Sequence, residues 1–144
     1  MSQALEQARK AALDQEVPVG AVLVDGRTGK VVAATGNAVE SLADPTAHAE
    51  ILVLREGARI LGAPRLPECD LYVTLEPCAM CAAAISHTRI RRLYYGAPDP
   101  KGGAIEHGPV WFSQPTCHHR PEVYSGIQET ECGELLKEFF RQRR

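Results

Sequence analysis

Apolar and polar residues change their period several times along the chain, and each change predicts an element. Residues 4–13 mix small apolar and charged positions without Gly or Pro, the pattern of a short helix. Residues 17–24 form an apolar run rich in valine, and a second strand is predicted at 30–35. The turn Asp25-Gly26-Arg27-Thr28-Gly29 joins the two as a hairpin. A helix at 47–61 carries Ile51, Leu52, Val53 and Leu54 and stops at Gly62. Residues 71–75 make a short apolar strand of the kind buried at a sheet centre. A helix beginning near Cys78 follows, then a strand at 90–95, a weak strand at 123–125 and a closing helix at 129–141. The stretch 97–121 has no period and is too long for a mere connection, so binding is its expected use.

Strands alternating with helices in this order imply an α/β fold, a sheet covered on both faces with the hairpin at one end and parallel strands toward the other. Ligands in such sheets sit at the carboxyl ends of strands, where Asn37 and the cysteines after Leu75 fall. The 144 residues are expected to form one domain, residues 1–144, large enough for an apolar core without disulfide staples. With 44% hydrophobic and 24% charged residues the composition is that of a globular protein rather than a disordered one. No apolar run reaches membrane-spanning length, and the polar, acidic first residues do not read as a secretory signal, so a cytoplasmic location is expected.

His48-Ala49-Glu50 and Pro77-Cys78-Ala79-Met80-Cys81 carry the chemistry. Residues three apart lie on one helical face, so the sulfurs of Cys78 and Cys81 can converge on one ion from the start of a helix, which Pro77 suits. His48 sits comparably, because Asp44-Pro45-Thr46 reads as a turn and cap before an apolar run. Three ligands leave a fourth position on Zn2+ for water, whose pKa then falls to about 7. Two thiolates and a neutral imidazole cancel the charge of the ion, leaving Glu50 a carboxylate that can take a proton from water, pass it to a ring nitrogen and later protonate departing ammonia. The competing reading is a structural zinc knuckle in which Cys69 supplies a fourth ligand and closes the tetrahedron.

The remaining cysteines, Cys69, Cys117 and Cys132, are expected to be free in a reducing compartment. Cys117-His118-His119 invites a second metal, but ligands in three consecutive residues rarely point at one ion, and a polar binding loop is the preferred reading. His87 is expected on the surface at a helix C-terminus, and His107 carries no signal. The net charge of −2 argues against bulk electrostatic gripping of nucleic acid. Basic residues are nonetheless clustered at Arg89, Arg91 and Arg92 and at Arg141, Arg143 and Arg144, either as solvated faces or as contacts to phosphate.

The order of these residues is the signature of zinc-dependent nucleobase deaminases. With Glu16-Val17-Pro18-Val19-Gly20, Gly36-Asn37, Leu71-Tyr72-Val73-Thr74-Leu75-Glu76, Asp99, Lys101, Gly103-Ala104 and Phe139-Phe140-Arg141, the chain resembles the cytidine deaminase-like superfamily over nearly its whole length. Within it the resemblance is to bacterial tRNA-specific adenosine deaminases, which convert wobble adenosine to inosine. The zinc signature is shared with deaminases of free guanine, cytosine and cytidine. A histidine as first ligand looks like the nucleic-acid editing and guanine deaminase branches rather than the free cytidine enzymes, while the segment from Asp99 to Ala104 and the Phe139-Phe140 ending look specifically like the tRNA enzymes. The resemblance implies a three-layer α/β/α fold with a mixed five-stranded sheet, one Zn2+ per subunit held by His48, Cys78 and Cys81, and Glu50 as catalytic residue. It also implies substrate contacts from Asn37, Ala49, Glu76, Asp99, Phe139, Phe140 and Arg141, a tRNA anticodon stem-loop as partner, and a homodimer without membrane attachment. Of the two phenylalanines one is expected buried and one exposed, and Pro98 and Pro100 should stiffen the Asp99 loop. The alternatives are a free-base deaminase acting on guanine or a related base, and a zinc-stabilised RNA-binding module without catalysis.

Overall fold

A computed structural model of the chain describes residues 1–143; Arg144, the last of the terminal basic cluster, lies outside the described residues. The sheet has five strands in the order β2-β1-β3-β4-β5. β1 (Gly20–Asp25) pairs antiparallel with β2 (Val31–Gly36) and with β3 (Cys69–Leu75). β4 (Arg92–Ala97) and β5 (Glu122–Tyr124) continue the sheet in parallel with β3. The mixed order expected of a hairpin beside parallel strands is therefore present, and β3 at its centre buries Leu71 and Val73 completely.

Alternation along β1 sorts the layers, since successive side chains leave a strand on opposite faces. A Cβ on Gly20 would lie 2.0 Å from the Ala4 carbonyl oxygen, so glycine alone lets α1 (Ser2–Leu13) press on the sheet there. Leu23, three residues on, faces the other way and meets α3 (Ala49–Leu61) at Gly57. α5 (Glu129–Arg141) shares the α1 face and touches it, while α4 (Ala79–Thr88) packs beside α3. The main core lies under α3 and α4 and includes Val53, Leu54, Ile85, Leu93 and Tyr95.

Several boundaries move for identifiable reasons. The first strand begins at Gly20 rather than residue 17, because Pro18 has no amide proton and the Val19 amide turns back to the Val17 carbonyl, 2.8 Å away. The third helix starts at Ala49 and the fourth at Ala79, so that His48 and Cys78 are their extended N-cap residues. The closing helix spans the expected residues, and Gly62 ends α3 in the left-handed conformation. A four-residue helix, α2 (Val39–Leu42), has no counterpart in the sequence pattern.

The stretch 97–121 is not an open binding loop throughout. It holds a short 3-10 turn, Trp111–Ser113, and buries Ala104, Ile105, Phe112 and Cys117 in the core. Its far end is locked by the Ser86 hydroxyl donating to the His119 carbonyl at 2.8 Å, with His119 Nε2 2.7 Å from the Ile90 carbonyl oxygen. Cys117-His118-His119 thus pins a loop; among the described residues it is not part of a metal-binding cluster. Arg91 is taken up by Asp70 at 2.7 and 2.9 Å, Arg92 by Glu122 at 2.7 Å, and Arg89 by the Ser86 carbonyl at 2.9 Å. This basic cluster is spent on internal partners. His87 is exposed in the last turn of α4, as expected.

Candidate metal centre and substrate cavity

Two helix starts meet beyond the carboxyl end of β3. The backbone of His48 is extended (φ −72°, ψ 150°), as is that of Cys78 (φ −74°, ψ 176°), and each then enters a helix that begins at the next residue. Cys81, on the first turn of α4, swings its sulfur toward the same point. His48 Nδ1 lies 3.7 Å from Cys78 Sγ and 3.5 Å from Cys81 Sγ. A tetrahedral ion with sulfur at about 2.3 Å and nitrogen at about 2.0 Å separates such donors by about 3.6 Å. The three side chains therefore fit one zinc, and all three donor atoms lie within 4.8 Å of one another.

The electrostatics agree with ligation. The Cys78 thiol is lowered to about 5 by a hydrogen bond from Cys81, with the backbone amides of Cys81 and Met80 and the charge of His48 adding to it. Cys81 is pushed up by its bond to that thiolate and by burial; a bound zinc would ionise both sulfurs. Cys69 is not in the cluster. It sits at the opposite end of β3, paired in register with Asp25, so a closed four-ligand knuckle using Cys69 is ruled out by the fold.

Glu50, one residue into α3, is 4% exposed and lies against the cysteines without joining the converging donors. Burial raises its carboxyl to about 7, while the positive charge of an ion held by the neighbouring donors would favour the ionised form that accepts a proton. It forms part of the wall of a cavity of about 520 Å³ together with Asn37, His48, Cys78, Asp99 and Phe139. Val17, Val19 and Leu75 add apolar surface, and Gln15, Glu16 and Arg143 complete the rim.

The other expected contacts divide. Asn37 faces the cavity, and its backbone amide is anchored on the Val19 carbonyl at 2.9 Å. Asp99 lines it too, with Oδ1 accepting the amides of Lys101 and Gly102 at 3.2 and 3.0 Å in a tight turn. Phe139 is buried against the cavity while Phe140 is 48% exposed, as expected. Phe140 and Arg141 line an adjoining groove of about 880 Å³ with Lys101, Lys137 and Arg143. The guanidinium of Arg143 stands 3.4 Å over the Phe139 ring and reaches Gln15 Oε1 at 2.7 Å, tying the chain end to the loop after α1.

Ala49 and Glu76 are engaged with partners inside the protein. Ala49 is 0% exposed, off the cavity wall, and its carbonyl accepts the Thr35 hydroxyl at 2.8 Å, so it offers substrate no surface. Glu76 reaches the wall, but both its carboxylate oxygens are turned away. Oε1 accepts the Asp99 amide at 3.0 Å and faces His107 Nδ1 at 2.8 Å; Oε2 accepts the amides of Ile105, Glu106 and His107 at 3.0 to 3.2 Å. It is the post around which the Asp99 loop is wound. His107, silent in the sequence, matters through this contact, and Glu16 was equally invisible because its partners lie more than twenty residues away.

Residues 1–97 match the family described as the cytidine and deoxycytidylate deaminase zinc-binding region. A tRNA-specific adenosine deaminase of Agrobacterium fabrum is 61% identical over 144 residues, all of this chain and 93% of the relative. A solved structure from work on A-to-I editing by tRNA:A34 deaminases superimposes with a TM-score of 0.92 at 62% identity, covering 94% of this chain and 97% of the other. A guanine deaminase of Nitrosomonas europaea, at 24% identity and a TM-score of 0.83 over 96% of this chain and 81% of the other, shares the fold alone. With the signature, the donor geometry and these likenesses in agreement, the chain belongs to the zinc-binding cytidine and deoxycytidylate deaminase family, within its group of tRNA-specific adenosine deaminases.

Proposed function

We propose that the protein hydrolyses the wobble adenosine, position 34, of a tRNA anticodon to inosine, with one zinc per subunit held by His48, Cys78 and Cys81. The observation that carries this reading is Glu50, a buried carboxylate beside a three-donor centre, facing a cavity with ample room for a nucleoside. Bound zinc supplies an ionised water at neutral pH. Glu50 takes one proton from the attacking water and delivers it to the ring nitrogen, then takes the hydroxyl proton of the C6 adduct and passes it to the amine as the C6–N bond breaks; one water is consumed and one ammonia leaves. Asn37, with a donor and an acceptor on one amide, matches the edge of a purine, and Phe139 with Val17 and Leu75 gives its faces apolar walls.

A wobble base is already unpaired, so swinging it into the cavity costs less than opening a duplex. The flanking nucleotides then follow the groove, where Phe140 offers a stacking surface and Lys101, Lys137 and Arg141 meet phosphates. Residues 1–144 act as one domain in a homodimer that works in the cytoplasm, where tRNA is found. No helix among the described residues is long and apolar enough to cross a membrane.

Purified protein offered an anticodon stem-loop with wobble adenosine, free guanine and free cytosine separates the readings. Inosine and ammonia in equal amounts from the stem-loop alone is the expected result. Ammonia from free guanine with the stem-loop untouched would make the protein a free-base deaminase, and no ammonia from any of the three would leave only an RNA-binding module.

A further inference from the structure

We infer that Glu16 is a positioning residue for base recognition: its carboxylate clamps the segment after Asn37 and so fixes where the Asn37 side chain enters the cavity. The inference deepens the proposed function and rests on Asn37 reading the base. Glu16 is 1% exposed, and its carboxylate takes no part in the proton transfers assigned to Glu50. Its oxygens accept two backbone amides, Glu40 at 3.0 Å on Oε1 and Ser41 at 2.7 Å on Oε2.

Those amides belong to the second and third residues of α2, the positions that an N-cap side chain ordinarily satisfies. The local N-cap is Ala38, which has no oxygen to offer and makes no side-chain cap. A helix of four residues does not support itself, because nucleation fixes several residues for each hydrogen bond gained. This one also ends on Ala43 in the left-handed conformation (φ 49°), a strained setting for a residue with a Cβ. Glu16 supplies from across the fold the acceptor that the local sequence lacks, and its negative charge suits a helix start.

The consequence falls on Asn37 because it is suspended between fixed points. Its own amide is held by Val19 and that of Ala38 by the Ala47 carbonyl at 3.0 Å, one residue before the ligand His48. Beyond Ala38, the start of α2 is tied to the rest of the fold by the Glu16 carboxylate, while the Ser41 hydroxyl only donates back to the Ala38 carbonyl at 3.4 Å, inside the same segment. Val39 and Glu40 also line the cavity, so release of the clamp would let this wall move while the metal ligands stay in place.

The test is a double-mutant cycle on zinc-loaded, full-length protein with the stem-loop substrate, using Glu16→Gln, Asn37→Ala and the pair. Glu16→Gln keeps the shape but presents an amide group to backbone N–H donors. We expect it to retain one zinc per chain and to lose about tenfold in kcat as the fraction of molecules with Asn37 in place falls. The double variant should be no slower than Asn37→Ala, because a residue acting through Asn37 has nothing left to position. Additive losses, or full activity of Glu16→Gln, would overturn the inference while leaving base reading by Asn37 intact. Full activity of Asn37→Ala would overturn both. Should Glu16→Gln fold poorly, hydrogen exchange on the wild type decides: protected amides at Glu40 and Ser41 support the clamp, and exchange as fast as in an open loop refutes it.

Discussion

Glu50 has lost nearly all contact with water, yet it is placed where protons must move, and the cost of burying it is a carboxyl raised to about 7. The place of Glu50 beside a three-donor centre was legible in the sequence because the residues involved are neighbours, His48 and Glu50 on one helix start and Cys78 and Cys81 on another; its burial and raised carboxyl were not. The internal partners of Glu76 and Ala49 were not legible for the opposite reason, since they are distant in the chain and no local pattern records them. At this scale Cys78→Ala should abolish zinc binding and lower thermal stability, because it removes one of three ion ligands and with it the stability that metal binding contributes. Zinc analysis and a melting curve check it; a full complement of metal in the variant would show that the ion is held elsewhere.

Long periodic elements and those bounded by Gly were legible at nearly their true limits, as α5 and the end of α3 at Gly62 show. α2 was not, because four residues carry no period and its stability comes from Glu16 rather than from its own sequence. The loop 97–107 was equally opaque, being shaped by a buried carboxylate outside it. Burial tends to raise the pKa of Glu76, but the amides of Asp99, Glu106 and Ile105 and the ring of His107 together hold it below the ordinary range. Such a group stabilises the fold above its unfolded pKa of about 4.3, and that contribution is lost as pH falls through the lower folded value. Glu76→Gln should therefore start less stable at pH 7 and show a flatter acid limb than the wild type. Parallel pH–stability profiles of the two proteins would speak against this role.

Over the whole molecule, the zinc-binding donors and Glu50 sit between α3, α4 and the Asp99 loop, while the surface proposed for RNA draws on the chain end. The formal charge of −2 hides this, since Arg91 and Arg92 are paired with Asp70 and Glu122 and Arg89 is bonded to the Ser86 carbonyl, while Lys101, Lys137 and Arg141 gather along one groove. Truncating the chain end would also remove Phe139 from the cavity wall, so point substitution is the cleaner probe. Phe140→Ala should raise KM for the stem-loop by about tenfold, as expected for a lost stacking partner worth about 1 to 3 kcal/mol. Its kcat and zinc content should stay near wild type; an unchanged KM would remove Phe140 from the RNA surface. Everything turns on a ligand set of three with one acid beside it. The most direct measurement is the rate of inosine formation at the wobble position by the wild type and by Glu50→Gln, each confirmed to hold one zinc per chain. The account requires the variant to be slower by at least about a hundredfold; equal rates at equal zinc content would contradict it.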